Sequence, residues 1–145
     1  NSMIRWDTAI TGSNMEKGLY HLHVRQTVEC RIDRLPTILN NLEIPVFSTV
    51  DHKANAVSSG LGMKVAWVVS FGNPATGTPL MRQSPETAVE LPLKISARKS
   101  IAGMFLSWSD PTWIAERFDA DPDSETIAKM CKIFETIIRK MLETY

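Results

Sequence analysis

The 145 residues carry 16 Lys and Arg against 16 Asp and Glu, with 43% hydrophobic and 22% charged side chains. That is the composition of an ordinary globular chain, and the length suits one domain with a core that needs no disulfide or metal staple. A neutral balance argues against nucleic acid or an anionic membrane as the main partner, and no apolar run approaches the ~18 residues of a membrane span.

In chain order, residues 1–18 read as a polar lead-in with Gly12, Ser13, Asn14 and Gly18 as breakers, ahead of a single domain over 19–145. Asn1 and Ser2 stand before Met3 and are set aside as additions to the native start. "YHLHVRQT" (Tyr20–Thr27) alternates with period two and predicts a half-buried strand. Val28–Leu42 changes to helical spacing, and Pro36 inside it predicts a kink or two short helices, the second starting at Pro36. Pro45–His52 reads as a second strand, and Lys53–Leu61 as a helical turn or wide hairpin. "KVAWVVSF" (Lys64–Phe71) is apolar on both faces, which predicts a central strand. Ser84 and Pro85 open a short helix. Pro92–Ser100 and Ala102–Ser109 alternate again, so two more strands joined by a tight hairpin are expected. Asp110–Pro111 and Asp121–Pro122 begin two helices. The last of these carries a stripe from Ile127 to Tyr145, with Glu125–Lys129 and Glu135–Arg139 as i,i+4 pairs. The expected class is α+β: an antiparallel sheet of about five strands, in the order strand, helix, four strands, helix, packed on a long C-terminal helix.

One stretch invites a chemical reading. "SFGNPATGTPLM" (Ser70–Met81) places Gly72 and Gly77, which permit positive φ, around Asn73–Pro74. Thr78 followed by Pro79 reads as a helix cap and first helical residue, whose free amides suit a carboxylate or phosphate. The corner is therefore either a ligand loop or an ordered turn whose Asn and Thr side chains bind local backbone. It lacks the Lys-Ser/Thr ending of a nucleotide loop. Asp51 beside His52 offers an acid–base pair or a merely structural histidine. His21 and His23 share one strand face, but two imidazoles without a third ligand make no metal site, and none is expected. Cys30 and Cys131 read as plain buried thiols of a reducing cytoplasm. No nucleophile elbow appears.

"VFSTVDHKANAVSSGL" and "VVSFGNPATGTPLMRQSPETAVELPLK" together resemble the domain of unknown function 302 family. The residues that carry the likeness include Asp51, His52, Gly60, Leu61, Phe71, Gly72, Asn73, Pro74, Gly77, Thr78, Pro79, Leu80, Met81, Pro85, Leu91, Pro92 and Leu93, followed by "WSDPTWIAERF". The resemblance implies a TATA-box-binding-protein-like fold, with the sheet curved around the C-terminal helix. It implies no reaction and no cofactor.

Two functions of different kind follow. The first is a binding or regulatory module in which Asp51, His52, Gly72, Asn73, Gly77, Thr78 and Met81 hold a small anionic ligand. The alternative is an enzyme using His52 as general acid or base. The second sheet face, with His21, His23, Arg25, Lys94, Ser96, Arg98 and Phe105, gains Val68 or Trp67 depending on register. An apolar patch there predicts a two-fold homodimer.

Overall fold

The computed structural model describes residues 10–25 and 32–143. Its strands are β1 (Ile10–Glu16), β2 (Leu19–Arg25), β3 (Val46–Asp51), β4 (Ala66–Phe71), β5 (Leu93–Ser100) and β6 (Gly103–Ser109). Its helices are α1 (Leu35–Asn41), α2 (His52–Ser58), α3 (Pro74–Gln83), α4 (Pro111–Arg117) and α5 (Glu125–Met141). The strands form one sheet in the order β1-β2-β6-β5-β4-β3, and every neighbouring pair is antiparallel. The expected α+β arrangement is present, with α2, α3 and α4 as short helices between its main elements.

β1 is the departure: it lies in the stretch read as a polar lead-in. Gly18 is no breaker but half of a hairpin turn, with Lys17 at φ 55° and Gly18 at φ 77°. Two consecutive residues at positive φ turn the chain with a twist that suits antiparallel strands, and Glu16 pairs Leu19 across the turn. Pro36 also resolves simply. A 3₁₀ turn, Ile32–Arg34, precedes α1, and Pro36 occupies the helix's first turn, where its missing N–H is not needed. The earlier part of the predicted helix, with Cys30, lies outside the described residues.

Alternation fills the core. Leu22, Val24, Val69, Phe71, Leu93, Ile95, Ala97, Leu106 and Trp108 point to one side of the sheet and are buried. Against them lies the stripe of α5, with Ile127, Met130, Phe134, Ile137, Ile138 and Met141 buried. Ser124 Oγ caps this helix by accepting from Ile127 N at 3.3 Å. The two expected i,i+4 pairs, Glu125–Lys129 (3.4 Å) and Glu135–Arg139 (3.2 Å), form on its outer side. Each exposed pair of this kind contributes only about 0.3–0.5 kcal/mol, so burial of the stripe fixes the helix. The opposite sheet face carries His21, His23, Ser96, Arg98, Phe105 and Ser107. Register places Val68 there too, opposite Ser96, and turns Trp67 toward the core side with Ala97.

Candidate functional site

The corner after β4 is where the chemistry gathers. Asn73 ends the extended segment and its Oδ1 accepts from Ala75 N at 2.9 Å, so Asn73 is the cap and α3 starts at Pro74, each five residues before the expected cap at Thr78 and first helical residue at Pro79. Thr76 N and Gly77 N then donate to Asn73 O at 2.8 and 3.1 Å. The free amides expected around Gly77 and Thr78 are therefore helical. Gly77 lies inside α3 and does not adopt positive φ. Gly72 does take a positive φ, at 159°, a backbone conformation that L side chains rarely adopt.

α3, the 3₁₀ turn Pro85–Glu90 and α5 border a half-open cavity of about 470 Å³ at this end of the sheet. Gly72, Asn73, Pro74, Thr76, Gly77, Thr78 and Met81 line it from the corner and α3. Phe47, Ser48, Ser70 and Phe71 line it from the sheet, Leu91, Pro92 and Leu93 from the strand that follows, and Met130 and Ile133 from α5. No Lys, Arg, His, Asp or Glu is among these residues. Ser48 and Ser70 face each other across β3 and β4, with their hydroxyl oxygens 2.5 Å apart.

Asp51 and His52 do not join this group. Asp51 pairs with Trp67 at one end of β3, whereas Val46 pairs with Phe71 at the cavity end. Five residues of strand separate the two ends, roughly 16 Å at the usual rise. The Asp51 carboxylate caps α2, accepting from Ala54 N at 2.9 Å, and His52 is the exposed first residue of that helix. Of the seven residues predicted to share a site, the structure thus brings together Gly72, Asn73, Gly77, Thr78 and Met81. Sequence reasoning missed Ser48, Ser70, Leu91, Met130 and Ile133. Leu91 had a signal in its place beside Pro92; the others read as plain strand or helix residues.

A second cluster lies on the open sheet face. The rings of His21 and His23 stack on Phe105 at 4.6 and 4.7 Å, and the Arg98 guanidinium sits 4.6 Å over the same ring. Arg98 Nη2 donates to His21 Nε2 at 3.4 Å, which leaves the imidazole proton on Nδ1, 2.8 Å from Ser107 Oγ. Burial, then the charge of Arg98 and then His23, hold the His21 pKa below the ordinary histidine value. Among the described residues, no three His, Cys, Asp or Glu side chains come together as metal ligands. The cluster yields a pH prediction. In the window just below about 6.5 the unfolded chain binds the proton that folded His21 refuses, so stability falls as pH drops through it. Urea midpoints at pH 5 and pH 7 should differ less in His21→Gln than in wild type; an unchanged difference would show that His21 takes no part.

Cys131 is half-buried, 3.9 Å from Thr112 Oγ1, and burial pushes its thiol pKa up. It is a protonated, unreactive packing residue rather than a nucleophile.

A solved structure, that of an uncharacterized conserved protein DUF302 from Bacillus stearothermophilus, matches with TM-score 0.64 at 16% identity, over 86% of this chain and 95% of that one. At that identity the likeness is one of fold. Two curated relatives are the fluoride-specific ion channels FluC 1 of Brucella suis biovar 1 (strain 1330) and FluC 2 of Brucella melitensis biotype 1 (strain ATCC 23456 / CCUG 17765 / NCTC 10094 / 16M). Each is 31% identical over 118 residues, 81% of this chain. The match spans 46% of the first relative and 44% of the second, so the chain corresponds to less than half of either. No helix among the described residues is long and apolar enough to cross a membrane. The domain of unknown function DUF302 matches over residues 20–141, which take in the cavity, the sheet from β2 onward and α5, and the chain belongs to that family.

Proposed function

We propose that this chain is a small-molecule-binding or regulatory module whose site is the corner cavity. The observation that carries the reading is convergence: Gly72, Asn73, Gly77, Thr78 and Met81 line one space of about 470 Å³. Small-molecule sites commonly measure about 300–1,000 Å³ and combine apolar walls with a few polar groups. The anion expected from sequence has no basic side chain in this lining. Acid–base use of His52 draws no support from the geometry either, because that residue stands outside the cavity. The channel activity named for the Brucella relatives belongs to proteins of which this chain matches less than half.

A melting-temperature screen of the full chain against neutral and charged metabolites tests the reading. A ligand at 100 times its Kd adds about 2.7 kcal/mol, and Gly77→Leu, which projects a side chain into the cavity between Leu91 and Met81, should abolish the shift. A shift that survives in Gly77→Leu, or no shift from any compound, overturns it.

The element order and the long α5 against the sheet support a TATA-box-binding-protein-like fold, and the free Cys131 suits a reducing, cytoplasmic setting. A two-fold dimer through the face bearing Val50, Val68 and Phe105 is part of the same proposal. Sedimentation at micromolar concentration should give a species of twice 16.3 kDa; a species at the single-chain mass removes the dimer.

A further inference from the structure

We infer that the corner cavity takes a neutral, mostly apolar small molecule rather than an anion, an inference that rests on the cavity being a binding site. Gly77 supplies the first argument. It sits inside α3, where glycine is destabilising relative to alanine. Its backbone does not require glycine, because its φ lies outside the left-handed region. Packing does not require it either: a Cβ there would meet Leu91 Cδ1 at 3.7 Å and Met81 Cε at 3.9 Å, both ordinary contacts. What the missing side chain preserves is open space between two lining residues.

The walls supply the second. Among the described residues no ionisable side chain lines the cavity, so a charged ligand would lose its hydration with no counter-charge to replace it. Met81 and Met130 are unbranched and polarizable, and such side chains shape themselves to irregular apolar molecules.

Polar satisfaction supplies the third. Ser48 and Ser70 bond to one another across β3 and β4, and their register sets them with Val50, Val68 and Ser96 on the side of the sheet away from α5. No buried side-chain N or O among the described residues lacks a partner. Among those residues the cavity therefore holds no orphan polar group that would call for a charged or highly polar ligand.

The test uses the full chain and the neutral dye N-phenyl-1-naphthylamine, which brightens in apolar surroundings. The dye should bind saturably, and 2-undecanone should displace it better than undecanoate by about tenfold or more, because the charged molecule would lose its hydration with no counter-charge to replace it. Gly77→Leu should weaken dye binding by about tenfold or more. Should that variant fail to fold, Gly77→Ala keeps the test alive, with a melting temperature at or above wild type and weaker dye binding. Direct calorimetry with undecanoate and inorganic phosphate separates the two levels of inference. If either anion binds in a Gly77-sensitive way and the ketone does not, the site stands and this ligand class falls. If neither the dye, the ketone nor an anion binds in a Gly77-sensitive way, the binding site itself falls. A ketone no better than undecanoate removes the preference for a neutral molecule.

Discussion

Phe134→Ala should lower the unfolding free energy by about 3–5 kcal/mol, the range for deleting a buried aromatic ring. Phe134 is 2% exposed on the inner stripe of α5. Its ring meets Phe71 edge-on at 5.7 Å and lies over Trp108 at 6.1 Å. Those two partners come from β4 and β6, so one side chain ties the helix to two strands of the sheet. Removing it leaves a void that the sheet is too rigid to close, and the loss of ring contacts adds to the loss of burial. Urea unfolding with an unchanged m-value is the appropriate measurement. A loss below about 1 kcal/mol would mean that α5 re-seats itself on the sheet after truncation. Phe134→Leu should cost clearly less than Phe134→Ala, because it retains most of the apolar volume.

Gly18→Ala should cost about 2–4 kcal/mol, although it adds a single methyl group. Two effects combine. Gly18 is held at φ 77°, where an L side chain is strained. A Cβ there would also fall inside the ring of Trp113, which covers the turn from α4. The turn cannot simply move away, because Gly18 O accepts from Asp110 N at 2.8 Å and so fastens the β1–β2 hairpin to the start of α4. A double-mutant cycle with Trp113→Ala separates the two contributions: the steric part should vanish in the Trp113→Ala background while the backbone part stays. Strict additivity of the two substitutions would contradict the contact.

The elements that could be read in advance are those whose burial pattern is simple. Leu22 and Val24 against His21 and His23, or Leu93, Ile95 and Ala97 against Lys94, Ser96 and Arg98, alternate because one face meets α5 and the other does not. The α5 stripe was legible for the same reason. β1 was not, because "ITGSNME" has no apolar alternation and joins the sheet through backbone pairing to β2. The start of α3 was misplaced because Asn73–Pro74 and Thr78–Pro79 present the same cap-and-proline device twice. Asn73 prevails, with its carboxamide oxygen on Ala75 N, and Pro79 is carried into the helix interior. The candidate site divided along similar lines. Gly72 to Met81 is contiguous, so one turn and one helix hold it at one place. Grouping Asp51 and His52 with it required knowing at which end of β3 each residue stands, and that is a matter of register between β3 and β4 rather than of local spacing.

The strand order also governs how the sheet assembles in time. β3, β4, β5 and β6 are each neighbours of the next in sequence, so their pairings close comparatively short loops. β2 is different: its partner is β6, with Leu22 opposite Leu106 and more than half of the chain between them. The entropy of closing that loop must be met before any β2–β6 contact offsets it. In kinetic language, the meander from β3 to β6 is the early, local event and the arrival of the β1–β2 hairpin at β6 is the slow, non-local one. Until that arrival, the apolar side of β6, with Leu106 and Trp108, is a half-finished edge open to pairing with other chains.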